Sequence, residues 1–121
     1  MKVLIRDLKI EDAKVSWKWR NDPDVWKLTG RKWNSYVTKR IEENWIKEVK
    51  QERNSKRFAI CVGEHKRYIG NVQLTEIEDN EAFFHIFIGE KKFWGKGIGT
   101  SATKLLIEYA KNNLKLKTTI S

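Results

Sequence analysis

Hydrophobic and polar positions recur with two different periods along the chain, and these periods divide it into strands and helices. Residues 2–8 alternate as in a short strand, and a helical pattern follows from residue 11. This first helix is expected to stop before Pro23 with a turn at 20–24, because the residue before proline disfavours helical backbone. From about Ser35 to Glu52, apolar residues recur at spacings of four and three. This spacing predicts the clearest helix of the first half.

The second half begins with three segments that predict strands. The near-continuous apolar runs at 57–63 and 67–74 are joined by a short polar link, which indicates an antiparallel hairpin. After an acidic loop at 76–80, the segment 82–88 (AFFHIFI) is apolar on both faces. Such a segment is typical of a central strand that is covered on both sides.

The remaining chain predicts a loop, a helix and the beginning of a further strand. Glycines interrupt residues 89–99, an amphipathic pattern covers 100–112, and residues 114–120 alternate again. The order β-α-α-β-β-β-α-β over residues 1–121 indicates one α/β (α+β) domain. Its central sheet is expected to be mixed, mostly antiparallel and flanked by helices.

Composition supports a single globular domain and excludes several other classes. A chain of 121 residues suits one core, and six tryptophans are too many for a disordered protein. No apolar run approaches the about 20 residues of a membrane-spanning helix, and the N-terminus lacks the apolar centre of a secretion signal. We therefore expect a cytoplasmic protein with no membrane partner. The cysteine and histidines (Cys61, His65 and His85) assemble neither an internal disulfide nor a zinc pattern.

The net charge of +9 lies mostly in residues 1–60, which hold 16 basic and 9 acidic side chains. A basic surface attracts anionic partners such as nucleic acid, a membrane face or a phosphate-rich cofactor. Interspersed lysines also keep a small domain soluble without any partner. A nucleic-acid-binding domain that stacks bases on exposed tryptophans is an alternative that the sequence does not favour.

The most informative motif is the segment Phe93-Trp94-Gly95-Lys96-Gly97-Ile98-Gly99-Thr100, which has glycines at alternate positions between a strand and a helix. Glycines allow a ligand to approach the backbone closely, and a first helical turn presents N–H groups to an anion. This arrangement suits a phosphate or pyrophosphate. A Walker loop is excluded because no Gly-Lys-Ser/Thr follows a four-residue gap, and the dinucleotide fingerprint lacks its last glycine, where Thr100 stands.

The remaining candidate is the G-x-G turn of acetyl-CoA binding, and with it the sequence resembles the GCN5-related N-acetyltransferase (GNAT) superfamily, in particular its ribosomal-protein and amino-sugar acetyltransferase branch. The family motif Gln/Arg-x-x-Gly-x-Gly/Ala is matched with Trp94 in the first position and with Gly97 and Gly99 as the glycines. The likeness covers essentially the whole chain. It is also carried by Ile5-Arg6-Asp7-Leu8, Trp19-Arg20-Asn21-Asp22-Pro23-Asp24-Val25, Trp45, Phe58-Ala59-Ile60, Tyr68-Ile69-Gly70-Asn71-Val72 and Ile86-Phe87-Ile88-Gly89.

The resemblance implies acetyl-CoA as cosubstrate. It implies that the strand end at Phe87 and Ile88 offers backbone groups to the pantetheine arm, and that amides from Gly95 to Thr100 hold the pyrophosphate. Lys91, Lys92 and Lys96 are expected to add positive charge nearby. The predicted cofactor-binding residues are therefore Phe87, Ile88, Lys92, Trp94, Gly95, Lys96, Gly97, Ile98, Gly99 and Thr100.

Acetyl transfer to an amine also needs a general base. Branch members commonly carry glutamate where Phe83 stands, and both Glu81 and His85 lie two residues from it, on the same face of a regular strand. These two are the candidate catalytic residues, although a lone histidine in an apolar strand is more often a core residue. Tyr109 and Cys61 are interpreted as core residues.

By the same resemblance, the acceptor is a primary amine on a protein N-terminus, an amino-sugar nucleotide or a small molecule. The tryptophan-rich first third either lines the acceptor mouth or packs the core: Trp17, Trp19, Trp26 and Trp33, with Arg20 and Arg31. Relatives end in a further helix and strands, which this sequence is expected to lack. The alternative to an active enzyme is an inactive acetyl-CoA-binding or CoA-binding remnant or fragment. Its strand at 114–120 would pair with a second copy to form a homo-oligomer.

Overall fold

The computed structural model describes residues 1–29 and 36–114, and its strands form one four-stranded antiparallel sheet. The strands follow one another in chain order, so each neighbouring pair is sequential. They are β1 (Val3–Asp7), β2 (Lys56–Val62), β3 (Arg67–Glu78) and β4 (Glu81–Ile88). The predicted α/β fold, a mostly antiparallel sheet with flanking helices, is confirmed, and every strand pair of the described residues is antiparallel.

Four α-helices of the described residues flank the sheet. They are α1 (Ala13–Arg20), α2 (Pro23–Thr29), α3 (Lys39–Lys50) and α4 (Ile98–Tyr109). One turn of 3-10 helix precedes α1, another (Lys91–Phe93) follows β4, and a π-helical turn (Ala110–Leu114) continues α4. Helix α3 begins later than its periodicity predicts, because the Thr38 side chain accepts a hydrogen bond from the Ile41 N–H and caps the helix there.

Helix α2 was not predicted, since Pro23 was interpreted only as the end of a helix. Proline also fits the first position of a helix, where its missing N–H costs no hydrogen bond. Here it opens α2, and the Asp22 carboxylate accepts a hydrogen bond of 3.0 Å from the Asp24 N–H just inside the helix. The expected turn therefore connects two helices.

The hairpin of β3 and β4 is longer than predicted, and the expected acidic loop at 76–80 is mostly strand. Strand β3 continues to Glu78, and the turn is confined to Asp79 and Asn80, whose φ angles are 49° and 68°. Within the described residues β4 is the last strand of the sheet and not a central one. Phe83 is accordingly 46% exposed. The strand expected at 114–120 lies, beyond Leu114, outside the described residues.

Apolar side chains fill both faces of the sheet. One cluster, the α4-side core, lies between the sheet and α4, and a second, the α1-side core, lies between the sheet and helices α1 to α3. The expected packing role of Tyr109 is confirmed, because its ring contacts Phe58 with centroids 4.9 Å apart. Principal members of the α4-side core are Phe58, Ile60, Ile69, Val72, Ala102 and Leu106, and those of the α1-side core are Leu8, Ala13, Trp19, Ile46, Cys61 and Tyr68.

A buried carboxylate fastens α1 to α3. Glu42 of α3 is 2% exposed and accepts hydrogen bonds from the Ser16 hydroxyl at 2.7 Å and from Arg20 Nε at 3.2 Å. A buried charge is tolerated only when it is paired and hydrogen-bonded, as it is here. These bonds set the position of α1, and through α1 that of the α1–α2 corner, relative to the sheet.

Candidate functional site

The glycine loop has the geometry of an anion site. Gly95 and Gly97 have φ angles of +74° and +76°, and Gly97 is the N-cap residue of α4. A Cβ added to either glycine meets nothing within 4 Å, so open space faces both. The amides of Ile98, Gly99 and Thr100 form the first turn of α4 and have no carbonyl four residues earlier in the helix to bond. This turn presents donors and a positive dipole end to the open space.

Two of the three predicted lysines flank this loop. Lys92 and Lys96 are exposed, and their Nζ atoms lie 5.4 Å and 6.0 Å from the ring centre of buried Phe93, just before the loop. Lys91, the third, forms ion pairs away from the loop. The Lys91 ammonium forms ion pairs with Asp22 at 3.0 Å and Asp24 at 2.7 Å, which compensate its charge. These ion pairs connect the beginning of α2 to the segment after β4.

The exposed Lys91–Asp24 contact predicts a measurable titration. The hydrogen bond and charge of Lys91 lower the pKa of Asp24 below its ordinary value. We expect Lys91→Met to raise that pKa, as followed by carboxyl ¹³C chemical shifts, and Lys92→Met to leave it unchanged. Because the folded-state pKa is lowered, the stabilisation by this contact is present above the ordinary pKa and is lost as the pH falls through the folded value. An unchanged Asp24 titration in Lys91→Met would contradict the contact.

The end of β4 lies directly beside the loop. The Trp94 indole donates its Nε1–H to the Ile88 carbonyl at 2.7 Å, and the Gly89 N–H donates to the Ile69 carbonyl at the same distance. Gly70 on β3 has no Cβ, which allows the Phe87 carbonyl to come close. Within the described residues no strand pairs with the outer edge of β4, the edge at which the pantetheine arm is expected.

The candidate catalytic residues share one face of β4. Phe83 pairs with Thr75 and His85 with Gln73, which places Glu81, Phe83 and His85 on the face of Phe87. His85 is exposed, so its interpretation as a core residue is wrong, and its Nε2 lies 3.2 Å from the Thr75 hydroxyl. At about 3.4 Å per residue, His85 lies roughly 7 Å from Phe87 along the strand, and Glu81 roughly 20 Å away.

The β3–β4 hairpin is acidic although the chain is strongly basic. Residues 67–88 contain four acidic side chains and one arginine, Arg67 at the beginning of the hairpin, whereas the whole chain carries +9. These four acidic residues are exposed and lie at the tip of the hairpin: Glu76, Glu78, Asp79 and Glu81. Counting charge by halves of the chain concealed this segregation, although a shorter window along the sequence reveals it.

Of the six predicted acceptor-mouth residues, the structure describes the side chains of Trp17, Trp19 and Arg20. Trp19 is 5% exposed and packs against Tyr68 with ring centroids 4.8 Å apart, so it belongs to the α1-side core. Trp17 contacts Tyr36, and Arg20 lies 4.2 Å from the centre of the Trp45 ring. The side chain of Trp26, together with Arg31 and Trp33, lies outside the described residues.

Other sites in the described part of the chain offer little chemistry. Cys61 is fully buried, and burial raises the pKa of its thiol, which opposes nucleophilic use. In residues 1–29 and 36–114 there is no helix long and apolar enough to cross a membrane and no His, Cys, Asp or Glu group suited to a metal. An open pocket of about 730 Å³ is lined by Trp19, Val15, Val62, Tyr68 and Phe93 among others.

Comparison with known proteins agrees with this geometry. An uncharacterised protein of Methanocaldococcus jannaschii is 27% identical over 116 residues, which are 92% of this chain and 22% of that protein. The uncharacterised N-acetyltransferase p20 of Bacillus licheniformis is 28% identical over 118 residues, 95% of this chain and 66% of that protein. The chain therefore spans about a fifth of the first relative and just under two thirds of the second.

A solved structure shares the fold. The spermidine N-acetyltransferase from Vibrio cholerae, in complex with CoA and spermine, superposes with a TM-score of 0.81 at 21% identity, covering 94% of this chain and 66% of that one. The family model of the acetyltransferase (GNAT) domain matches residues 2–121. The match covers nearly the whole chain and includes β4, the glycine loop and α4. The chain therefore belongs to the GNAT acetyltransferase domain family.

Proposed function

We propose that this chain binds acetyl-CoA through the glycine loop and transfers its acetyl group to a primary amine. The observation that carries the proposal is the loop at the N-terminus of α4, where Gly95 and Gly97 have positive φ angles and open space at their Cβ positions. Side chains there would fill the space that a pyrophosphate needs. The residues present therefore fit the cosubstrate that the family uses.

The donor side of the site follows from the loop. The amides from Gly95 to Thr100 would bind the pyrophosphate, with Lys92 and Lys96 adding charge beside it. The outer edge of β4 at Phe87 and Ile88 would bind the amide groups of the pantetheine arm, because its backbone is unpaired within the described residues. Acetyl-CoA supplies the acetyl thioester, and the transfer forms a C–N bond, breaks the C–S bond and releases CoA.

His85 is the better candidate for the general base. It is nearer than Glu81 to Phe87, it is exposed, and its Nε2 lies 3.2 Å from the Thr75 hydroxyl. In the neutral tautomer that donates Nε2–H to Thr75, Nδ1 would be the proton acceptor. A protonated amine cannot attack a carbonyl, so His85 would take one proton from the acceptor and free its lone pair. Glu81 is the second candidate.

We expect His85→Gln to lower kcat by about a hundredfold, the smaller end of the range for general-base loss, with the KM for acetyl-CoA nearly unchanged. Because the side chain is exposed, the free energy of unfolding should change little. Glu81→Gln is the matched control on the same face. Full activity of His85→Gln together with a large loss in Glu81→Gln would transfer the role of base to Glu81.

The acceptor class that we favour is a small cationic amine. The four carboxylates at the hairpin tip are exposed, and Glu81 shares the face of β4 with His85, so they would attract a polycation and repel an anionic amino-sugar nucleotide. The fold neighbour from Vibrio cholerae is a spermidine N-acetyltransferase, which is consistent with this class. Among the acceptors that the sequence left open, the charge of the hairpin therefore supports the small amine.

The test is a thiol-release assay with acetyl-CoA and three acceptors: spermidine, an unmodified peptide N-terminus and an amino-sugar nucleotide. We expect turnover with spermidine, declining as salt screens the hairpin charges. Turnover with the amino-sugar nucleotide alone would overturn the acceptor class but not the transferase. CoA binding with no turnover of any amine would favour the alternative, an inactive CoA-binding fragment, and concentration-dependent self-association would support it further.

A further inference from the structure

The side chain of Trp94 connects the glycine loop to the strand before it. Its Nε1–H donates to the Ile88 carbonyl at 2.7 Å, and its ring is partly buried against the α1-side core. The motif position that the family fills with Gln or Arg, ahead of its glycines, is thus occupied here by a donor that points back to β4. This contact joins the two parts of the proposed acetyl-CoA site through one hydrogen bond.

The acceptor of that bond, the Ile88 carbonyl, precedes Gly89, whose position is fixed by two contacts. The Gly89 N–H donates to the Ile69 carbonyl, and Trp19 packs so closely on Gly89 that an added Cβ would lie 2.0 Å from its ring. On the other side of Trp94 the chain is much less constrained, because Gly95 and Gly97 are exposed and have left-handed backbone that glycine enters and leaves easily. Trp94 is therefore the last anchored residue before the loop.

We infer that Trp94 is a positioning residue: its indole N–H, held by the Ile88 carbonyl, fixes the loop so that its amides are aligned before a pyrophosphate arrives. The inference rests on the proposed function of the loop. It changes the role predicted from the motif, since Trp94 acts through Ile88 and needs no contact with the cofactor. Binding is tighter when the donors are ordered in advance, because less conformational entropy is lost on association.

The inference predicts that removing the indole N–H lowers the affinity only for ligands that carry the pyrophosphate. Trp94→Phe keeps an aromatic ring against the α1-side core and removes the N–H donor together with part of the indole ring. We expect it to raise the Kd for CoA about tenfold, the usual effect of one hydrogen bond, and to leave the Kd for pantetheine, which lacks the pyrophosphate, unchanged. Both constants are measured by chemical-shift titration, which follows millimolar binding. Trp45→Phe, the same change on α3, is the control and should alter neither constant.

Equal weakening of CoA and pantetheine binding in Trp94→Phe, or no weakening of either, would overturn the inference. If the wild-type chain binds no CoA, the proposed function itself fails, so the two failures are distinguishable. A second measurement needs no variant and applies even if Trp94→Phe does not fold. The indole N–H of Trp94 should exchange slowly with solvent in the free wild-type chain, and exchange as fast as in an unfolded peptide would also overturn the inference.

Discussion

Replacing Gly97 by valine is expected to raise the Kd for CoA by at least about a hundredfold. The Cβ at this position points into open space at the N-terminus of α4, where the pyrophosphate is proposed to bind. A branched side chain there would block the approach of the anion and distort the amides that follow. Hydrogen bonds to a charged group contribute about 1.5–3 kcal/mol each, so losing one or two of them accounts for the factor. Isothermal titration calorimetry with CoA measures the Kd of the wild type and of Gly97→Val.

Gly63 provides a matched control for the backbone strain of this change. Its φ angle is +78°, against +76° for Gly97, and an added Cβ there also meets nothing within 4 Å. Valine is strained in left-handed backbone at both positions, by at least about 1–2 kcal/mol. Both variants should therefore lose similar stability, but only Gly97→Val should lose CoA affinity. Equal loss of affinity in both would show that strain, and not a blocked site, is the cause.

Replacing Gly70 by alanine is expected to cost about 3 kcal/mol of unfolding free energy, at the upper end for overpacking. The added Cβ would lie 2.3 Å from the Phe87 carbonyl oxygen and 3.0 Å from the Ile88 Cα, and both are backbone atoms. A backbone neighbour cannot rotate away, so β3 and β4 must separate where the donor side of the site begins. Urea unfolding followed by tryptophan fluorescence measures the change.

Gly99→Ala is the corresponding control in the same part of the molecule. Its Cβ would meet only Ile86 Cδ1, at 3.8 Å, which is an ordinary contact. Since alanine is favoured over glycine in a helix by up to about 1 kcal/mol, this variant should be as stable as the wild type or more so. If the urea midpoint of Gly70→Ala equals that of the wild type, β3 and β4 do not approach each other at Gly70 as closely as described.

Local patterns predicted most of the fold because most of its elements are amphipathic or strongly apolar. The runs that became β2 and β4 and the periodicity that became α3 needed no long-range information. Helix α2 was missed because Pro23 is compatible both with the end of one helix and with the first position of another. Strand β4 was expected at the centre because its run is apolar on both faces, but within the described residues it is the last strand of the sheet and Phe83 is exposed.

The parts of the candidate site that depend on neighbouring residues in the sequence were predicted, and the contacts between distant residues were not. Spacing of the glycines gave the loop and the beginning of α4 to within a few residues, since positive φ angles and helix starts have sequence signals. The pairing of Lys91 with Asp22 and Asp24 joins parts of the chain that are far apart in sequence. The bond from Trp94 to Ile88 depends on a side-chain direction. Neither contact can be predicted from the periodicity or the composition of the sequence.

The central claim is that residues 95–100 bind the pyrophosphate of acetyl-CoA. The most direct test is to add CoA to the ¹⁵N-labelled chain and follow the amide resonances of every residue. We predict saturable shifts that are largest for Gly95 to Thr100 and extend to Phe87 and Ile88. No saturable shift, or shifts confined to the cavity beside Val62 and Tyr68, would contradict the claim.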